Sequence, residues 1–191
     1  SSTHWRLSGI TAMQWALQEA QFSVPLLEQR SDSALVDVAL LFRTGAIADP
    51  PGKAGLAALT AAMITDGGSR LRTREQLQKA LYPLAAPFVA QVDKEMLRLG
   101  GTVHRDNLEA WWAIVHEMLT DPGFRAEDFA RIRQQQVNAV RDSLRANNDE
   151  ELGKELLYEQ VYGDAHPYGR LTSGHAGDLE SITLDDVRRF H

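Results

Sequence analysis

The sequence predicts an α+β fold, in which an antiparallel sheet of about five to six strands packs against helices. Three observations carry this prediction. Apolar residues alternate with period two in two parts of the chain, and they recur at helical spacing in several longer segments. The order along the chain is strands, helices, a hairpin and further helices, without an internal repeat, so residues 1–191 are expected to form a single domain.

Two strands open the predicted sheet. In residues 34–43 the side chains on one face are apolar or small: Ala34, Val36, Val38, Leu40 and Phe42. Residues 22–29 are rich in β-forming residues, so we expect an adjacent antiparallel strand there. Residues 13–19 fit a further strand or a short helix, and the strand is favoured.

The next elements are a loop and two helices. Residues 45–55 are rich in Pro and Gly, which predicts an irregular loop. Residues 55–66 carry apolar or small side chains on nearly every face, which predicts a buried helix that ends at the pair Gly67 and Gly68. A capping-box pattern at residues 73–76 starts a second helix, which ends before Pro83.

A β-hairpin is predicted after the second helix. Residues 87–104 alternate with period two on both sides of a turn near residues 93–95. In the second strand, the neighbours Gly100 and Gly101 indicate a bulge or a bend.

Helices dominate the rest of the chain. They are predicted at residues 107–119, 126–146 and 150–162, and a last helix begins at a capping box at residues 183–186. In the first of these helices, Trp111 and Trp112 are sequence neighbours and face different ways. At most one of the two is therefore expected to point fully inward.

Composition excludes several classes of function. A net charge of -6 without a dense Lys/Arg run argues against nucleic acid and anionic membrane surfaces as partners. The chain has no Cys, which excludes disulfides, thiolate nucleophiles and Cys-based zinc sites. No apolar run approaches the roughly 18 residues of a membrane span, so no membrane insertion is expected in these residues.

The usual catalytic motifs are absent from the sequence. A zinc hydrolase site on a helix needs two His on one face with a carboxylate beside them, as in HExxH or HxxEH, and neither pattern occurs. His116 and Glu117 begin such a motif, but Thr120 stands where the second His belongs, so the pair is expected to form a polar helix edge. His166 and His175 share a loop region without an adjacent carboxylate pattern, which favours a structural role for both. No GxSxG serine motif occurs either.

Several short motifs occur in an order that resembles the M16 peptidases, the family of insulinase, pitrilysin and the mitochondrial processing peptidase. They are spread over most of the chain: ALLFRTGA, GKAGLAALT, TDGG, DPGF, HPYG, TSGHAGDL and SITLDDVRRFH. The most specific part is HPYG, followed by a Gly-containing loop and the helix I-T-x-x-D-V-x-x-F. The resemblance implies the fold of one M16 half, and this chain is expected to be a piece of a longer protein with a second similar domain.

The resemblance also implies where a zinc site would lie. In active members the helix after the Gly reads GLAHxxEHM, where the two His and a later Glu bind zinc and the Glu between the His is the general base. On this chain Ala58, Ala61 and Ala62 fall at these positions. A methyl group neither binds zinc nor accepts a proton. Residues 132–140, where the third ligand belongs, contain no carboxylate, and Asp142 is off the expected place. We therefore expect no catalytic residue, metal or cofactor in this domain.

An M16-like half without its motif is expected to be an inactive companion. The resemblance implies that it closes a proteolytic chamber with an active, zinc-bearing half or subunit, and that peptides or unfolded proteins are the ligands. These would add as a strand to residues 87–93, where the candidate binding residues are Val89, Gln91 and Asp93. The alternative for this segment is an ordinary edge strand that binds no peptide. The alternatives are a non-proteolytic assembly module with the same fold and an enzyme with a relocated site. The compartment stays open, with the bacterial periplasm or cell envelope favoured.

Overall fold

The structure is a computed structural model and describes residues 33–145, 149–163 and 166–191. Within them, three strands form one sheet: β1 (Leu35–Phe42), β2 (Val89–Val92) and β3 (Leu97–His104). The same residues form seven α-helices: α1 (Leu56–Asp66), α2 (Arg74–Leu81), α3 (Leu108–Thr120), α4 (Ala126–Arg145), α5 (Asp149–Tyr162), α6 (Ala176–Ser181) and α7 (Leu184–Phe190). An antiparallel sheet packed against helices confirms the predicted α+β class.

The described part of the sheet has fewer strands than the sequence predicts. Its order is β1-β3-β2. The two further strands predicted at residues 22–29 and 13–19 lie outside the described residues. β1 confirms the strand predicted at residues 34–43: Val38 is 8% exposed, whereas the side chains of Leu35 and Leu41 on the other face are exposed.

β2 and β3 form the predicted hairpin. The N–H of Asp93 donates to the carbonyl oxygen of Met96 at 2.8 Å and closes the turn at the predicted place. The pairing of β3 with β1 is continuous, one residue to one, along all eight residues of each strand. Of the bulge or bend predicted at Gly100 and Gly101, the bulge is therefore wrong. The glycines are explained by close backbone approach instead, because a Cβ on Gly101 would lie 1.9 Å from the carbonyl oxygen of Pro87.

α1 is the helix predicted at residues 55–66, and most of its surface is buried as expected. Gly55 precedes it with φ 94°, where a Cβ would lie 2.7 Å from a side chain of α6. The buried carboxylate of Asp49 accepts hydrogen bonds from the N–H groups of Gly55 (2.7 Å) and Ala57 (2.8 Å). These bonds satisfy N–H groups that have no partner inside the helix. Gly67 ends the helix as predicted.

The other predicted helices, α2 to α5 and α7, begin close to their predicted starts. Thr73 and Gln76 make both hydrogen bonds of the predicted capping box, and Thr183 and Asp186 cap α7 in the same way. α6 is a helix that the sequence pattern does not reveal, because its six residues make fewer than two turns. None of the described helices combines the length and the apolar character that crossing a membrane requires.

Both tryptophans of α3 are buried, which corrects the expectation that only one points inward. Trp111 is 0% exposed and Trp112 is 7% exposed. α3 packs against β3 on one side and also contacts α1 and α2. Side chains that diverge by about 100° on the helix therefore both reach apolar partners. The ring of Trp111 meets Phe88 edge-on, with centroids 6.2 Å apart.

α1 lies between two apolar clusters. The first joins the sheet to α3 and includes Ala61 and Ile64. The second joins α1 to α4, α6 and α7 through Leu56, Leu59 and Met63. Because α1 contributes side chains to both clusters, its position relative to the sheet is fixed from two sides.

Candidate functional site

A cleft of about 980 Å³ lies beside α1 and the β2 edge of the sheet. Residues of α1, α2 and β2 form most of its lining, and Gln136 of α4 and residues 172–173 add to it. The cleft brings together two features that the sequence singles out, the alanines of α1 and the strand predicted at residues 87–93.

Ala58, Ala61 and Ala62 all line this cleft. Ala58 and Ala62 are about one helical turn apart, so their methyl groups share the partly exposed face of α1 with Thr65 and Asp66. Ala61 is 1% exposed and belongs to the cluster under the sheet. At the three positions the cleft surface is therefore made of methyl groups.

Asp66, at the end of α1, is paired with two arginines. Arg74 Nε donates to its Oδ1 at 2.6 Å, and Arg131 Nη1 donates to its Oδ2 at 2.7 Å. Arg131 also donates to Asp128 Oδ1 at 3.1 Å. Both carboxylate oxygens of Asp66 accept charge-assisted hydrogen bonds, so this residue ties α1 to α2 and α4.

The residues of the cleft do not fit a zinc ion. A catalytic zinc site uses three protein ligands drawn from His, Cys, Asp and Glu. Within the described residues, no group of three such side chains could hold a metal ion. The α1 wall offers the methyl groups of its alanines and the arginine-paired carboxylate of Asp66. No catalytic step through zinc can be built from these side chains.

Glu117 links α3 to residues 69–72, whereas the side chain of His116 packs within α3. The Glu117 carboxylate accepts hydrogen bonds from the Arg72 guanidinium, with Nε 3.1 Å from Oε2, and from the hydroxyl of Ser69. The Arg72 hydrogen bond is the main cause that lowers the pKa of Glu117. The ring of His116 packs against Trp112, with centroids 6.1 Å apart. The pair forms the polar helix edge that its sequence context indicates.

His166 and His175 lie beside α5 and have different partners. Nδ1 of His166 accepts the N–H of Tyr168 at 3.2 Å, and its ring stacks on Tyr162 with centroids 5.1 Å apart. Nε2 of His175 is 3.4 Å from Oε1 of Glu159. Both imidazoles therefore take part in packing and pairing away from the cleft lining.

β2 is an edge strand of the described sheet and lies beside the cleft. Val89, Gln91 and Asp93 have exposed side chains, and Val89 and Asp93 line the cleft. Because the N–H of Asp93 bonds across the hairpin turn to Met96, the alternation of the ladder points the backbone groups of Val89 and Gln91 at β3, while the carbonyl oxygen of Asp93 accepts from the N–H of Ala46 at 3.1 Å. Ala90 and Val92 therefore direct their N–H and C=O groups towards the edge that no described strand covers. Sequence patterns do not identify Ala90 and Val92, because the hairpin register decides which residues of β2 direct their backbone groups away from β3.

Gln136 is a cleft residue that sequence reasoning overlooks. It lies about one turn after Ile132 and one turn before Val140, which both pack in the cluster that joins α4 to α1. The sequence does carry a signal, since a glutamine interrupts an otherwise apolar face of an amphipathic helix.

Residues 25–172 match the family model described as insulinase, peptidase family M16. None of the curated proteins matches the sequence. Among solved structures, the peptidase M16 inactive domain from Pseudomonas fluorescens is 26% identical, with a TM-score of 0.73 over 84% of this chain. A protease from Helicobacter pylori is 20% identical, with a TM-score of 0.69 over 83% of this chain. Pitrilysin is 19% identical, with a TM-score of 0.71 over 84% of this chain.

These matches cover unequal shares of the two chains in each comparison. This chain spans 38% of the Pseudomonas fluorescens and Helicobacter pylori chains and 17% of the pitrilysin chain. The family model, by contrast, covers well over half of this chain. The chain therefore belongs to the insulinase family of peptidases, family M16.

Proposed function

We propose that this domain is a catalytically inactive M16 half, which binds peptides and forms a proteolytic chamber with an active, zinc-bearing half or subunit. The observation that carries the proposal is the cleft. Methyl groups stand at Ala58, Ala61 and Ala62, where the family motif has its metal ligands and base, and the β2 edge runs beside them. The likeness to an inactive M16 domain at 26% identity supports the assignment.

Peptides bind by adding a strand to β2. The backbone groups of Ala90 and Val92 offer hydrogen bonds on the open edge of the sheet. The methyl groups of Ala58 and Ala62 leave an apolar surface for side chains of the ligand. Because this mode recognises the backbone, it suits peptides and unfolded proteins of varied sequence.

The active half supplies zinc and the catalytic base. This chain spans only 38% of its inactive-domain relative, so related molecules contain further structure beyond one such unit. A second M16-like half, on the same polypeptide or on a separate subunit, completes the chamber.

Affinity purification of the full-length protein tests the pairing. We expect recovery of an HxxEH-bearing partner, whose hydrolysis of a quenched fluorescent peptide rises when the purified components are mixed. The control is the same mixture after zinc is removed by a chelator. Co-purification without a change in hydrolysis would favour the assembly module. Zinc-dependent hydrolysis by this 191-residue chain alone contradicts the proposal.

A further inference from the structure

Gln136 is a polar side chain set in the apolar face of α4. Ile132 and Val140, on either side of it, pack in the cluster that joins α4 to α1. The Oε1 atom of Gln136 is shielded from solvent and accepts no hydrogen bond from any described residue. A buried amide oxygen without a donor lowers the stability of the fold. The glutamine is therefore not explained by the packing of α4 against α1.

The other polar groups on this side of the cleft have partners. The carboxylate of Asp66 bonds to two arginines. The hydroxyl of Thr65 donates to the backbone of its own helix at 3.1 Å. Ala58 and Ala62 present methyl groups. Where α1 and α4 line the described cleft, the amide of Gln136 is the polar group left without a partner.

A peptide strand docked on β2 has a second edge that also needs partners. In a strand, the backbone groups of successive residues point to opposite sides. When one edge of the peptide pairs with Ala90 and Val92, the N–H and C=O groups of its other edge face across the cleft. Such groups need hydrogen-bond partners once water is displaced, and methyl groups supply none. A primary amide carries both a donor and an acceptor.

We infer that the Gln136 amide hydrogen-bonds the outer backbone edge of a peptide strand docked on β2. Nε2 donates to a peptide carbonyl oxygen, and Oε1 accepts from a peptide N–H. The terminal torsion of glutamine is soft, so the amide turns toward the ligand without movement of α4. The inference rests on the proposed peptide binding at β2. The ligand class is extended polypeptide, recognised through its main chain.

Binding of a short fluorescein-labelled peptide of Val, Thr and Ser, measured by fluorescence anisotropy, tests the inference. Gln136→Met keeps the length of the side chain and removes the amide, so it should raise the Kd about tenfold. Gln134→Met is the matched control on the exposed face of the same helix and should leave the Kd unchanged. The Tm of Gln136→Met should equal or exceed that of the wild type, because an unpaired buried oxygen is removed.

The outcomes separate this inference from the proposed function. Equal Kd values for wild type and Gln136→Met overturn the inference and leave peptide binding at β2 standing. A clear loss of Tm in Gln136→Met also overturns it, because the amide would then stabilise the fold itself. A wild type that does not bind the peptide overturns both. Peptides with single amide-to-ester replacements locate the contact, since Gln136→Met should have a smaller further effect once the ester has removed the N–H that Oε1 binds, and only the Nε2 hydrogen bond is left to lose.

Discussion

Ala58 and Ala62 place methyl groups on the face of α1 that lines the cleft. The sequence reveals the residue types but not this shared exposure, because a helix with small side chains on nearly every face is expected to be buried throughout. Ala61 differs from the other two because it lies inside an apolar cluster. A larger side chain at Ala61 would have to displace core residues.

Introducing two histidines at the half-buried positions, Ala58→His with Ala62→His, is expected to create a metal site. Residues four apart on a helix present their imidazoles on one face. The double variant should therefore bind Zn²⁺ at least about tenfold more tightly than either single variant. Isothermal titration calorimetry with zinc chloride measures this, with the two single variants as matched controls. Equal affinities for the double and single variants would show that the two side chains do not share the cleft face.

Asp49 makes the stability of the fold depend on pH. Burial raises the pKa of its carboxyl to about 6, against the opposing effect of the N–H groups of Ala57 and Gly55. The unfolded value is near 3.8, so the folded state binds the proton more tightly. The contribution of Asp49 to the free energy of unfolding is therefore fully present below pH 3.8, and it is lost as the pH rises through about 6.

Replacing the carboxyl by an amide, Asp49→Asn, removes this titration. Relative to the variant, the wild type should lose at most about 3 kcal/mol of unfolding free energy between about pH 4 and pH 7. Urea denaturation of both proteins at the two pH values measures the difference, and contributions from other carboxyl groups cancel. A difference that stays constant with pH would contradict the role given to Asp49.

At the scale of elements, β2 shows what local pattern can and cannot predict. Period-two alternation predicts the strand and the turn that follows it. The backbone groups that face the open edge depend on the pairing of Asp93 with Met96, which alternation alone does not specify. Ala90 and Val92 are identified only once that register is known.

The same distinction holds for the helices. The capping boxes at residues 73–76 and 183–186 are local in sequence, so they are predicted correctly. The Asp49 cap of α1, the burial of Trp112 and the place of Gln136 in the cleft depend on how separate elements pack together. A pattern along one element contains no information about such partners.

A proline at position 90, Ala90→Pro, tests whether β2 is the peptide-binding edge. The N–H of Ala90 points away from β3, so its loss should leave the hairpin ladder intact and the Tm little changed. Loss of that donor should raise the Kd for the fluorescein-labelled peptide about tenfold. Gln91→Pro is the contrasting control, because it removes an N–H of the ladder and should lower the Tm. Unchanged peptide affinity in Ala90→Pro would remove β2 from the binding site.

On the scale of the whole molecule, the fold of an M16 half is kept around a cleft that does not fit zinc. α1 is held between two apolar clusters, so its alanine face stays beside the β2 edge. We propose that the molecule thereby keeps peptide binding and leaves the chemistry to an active half.

Binding and cleavage of one peptide, measured on the same sample, test this central claim most directly. The purified chain is incubated with the fluorescein-labelled peptide and Zn²⁺, binding is followed by anisotropy, and the peptide is then analysed by mass spectrometry. We predict saturable binding and an intact peptide, with or without a chelator. Peptide cleavage that requires zinc and stops when the chelator is added would contradict the proposal that this half binds peptides without cleaving them.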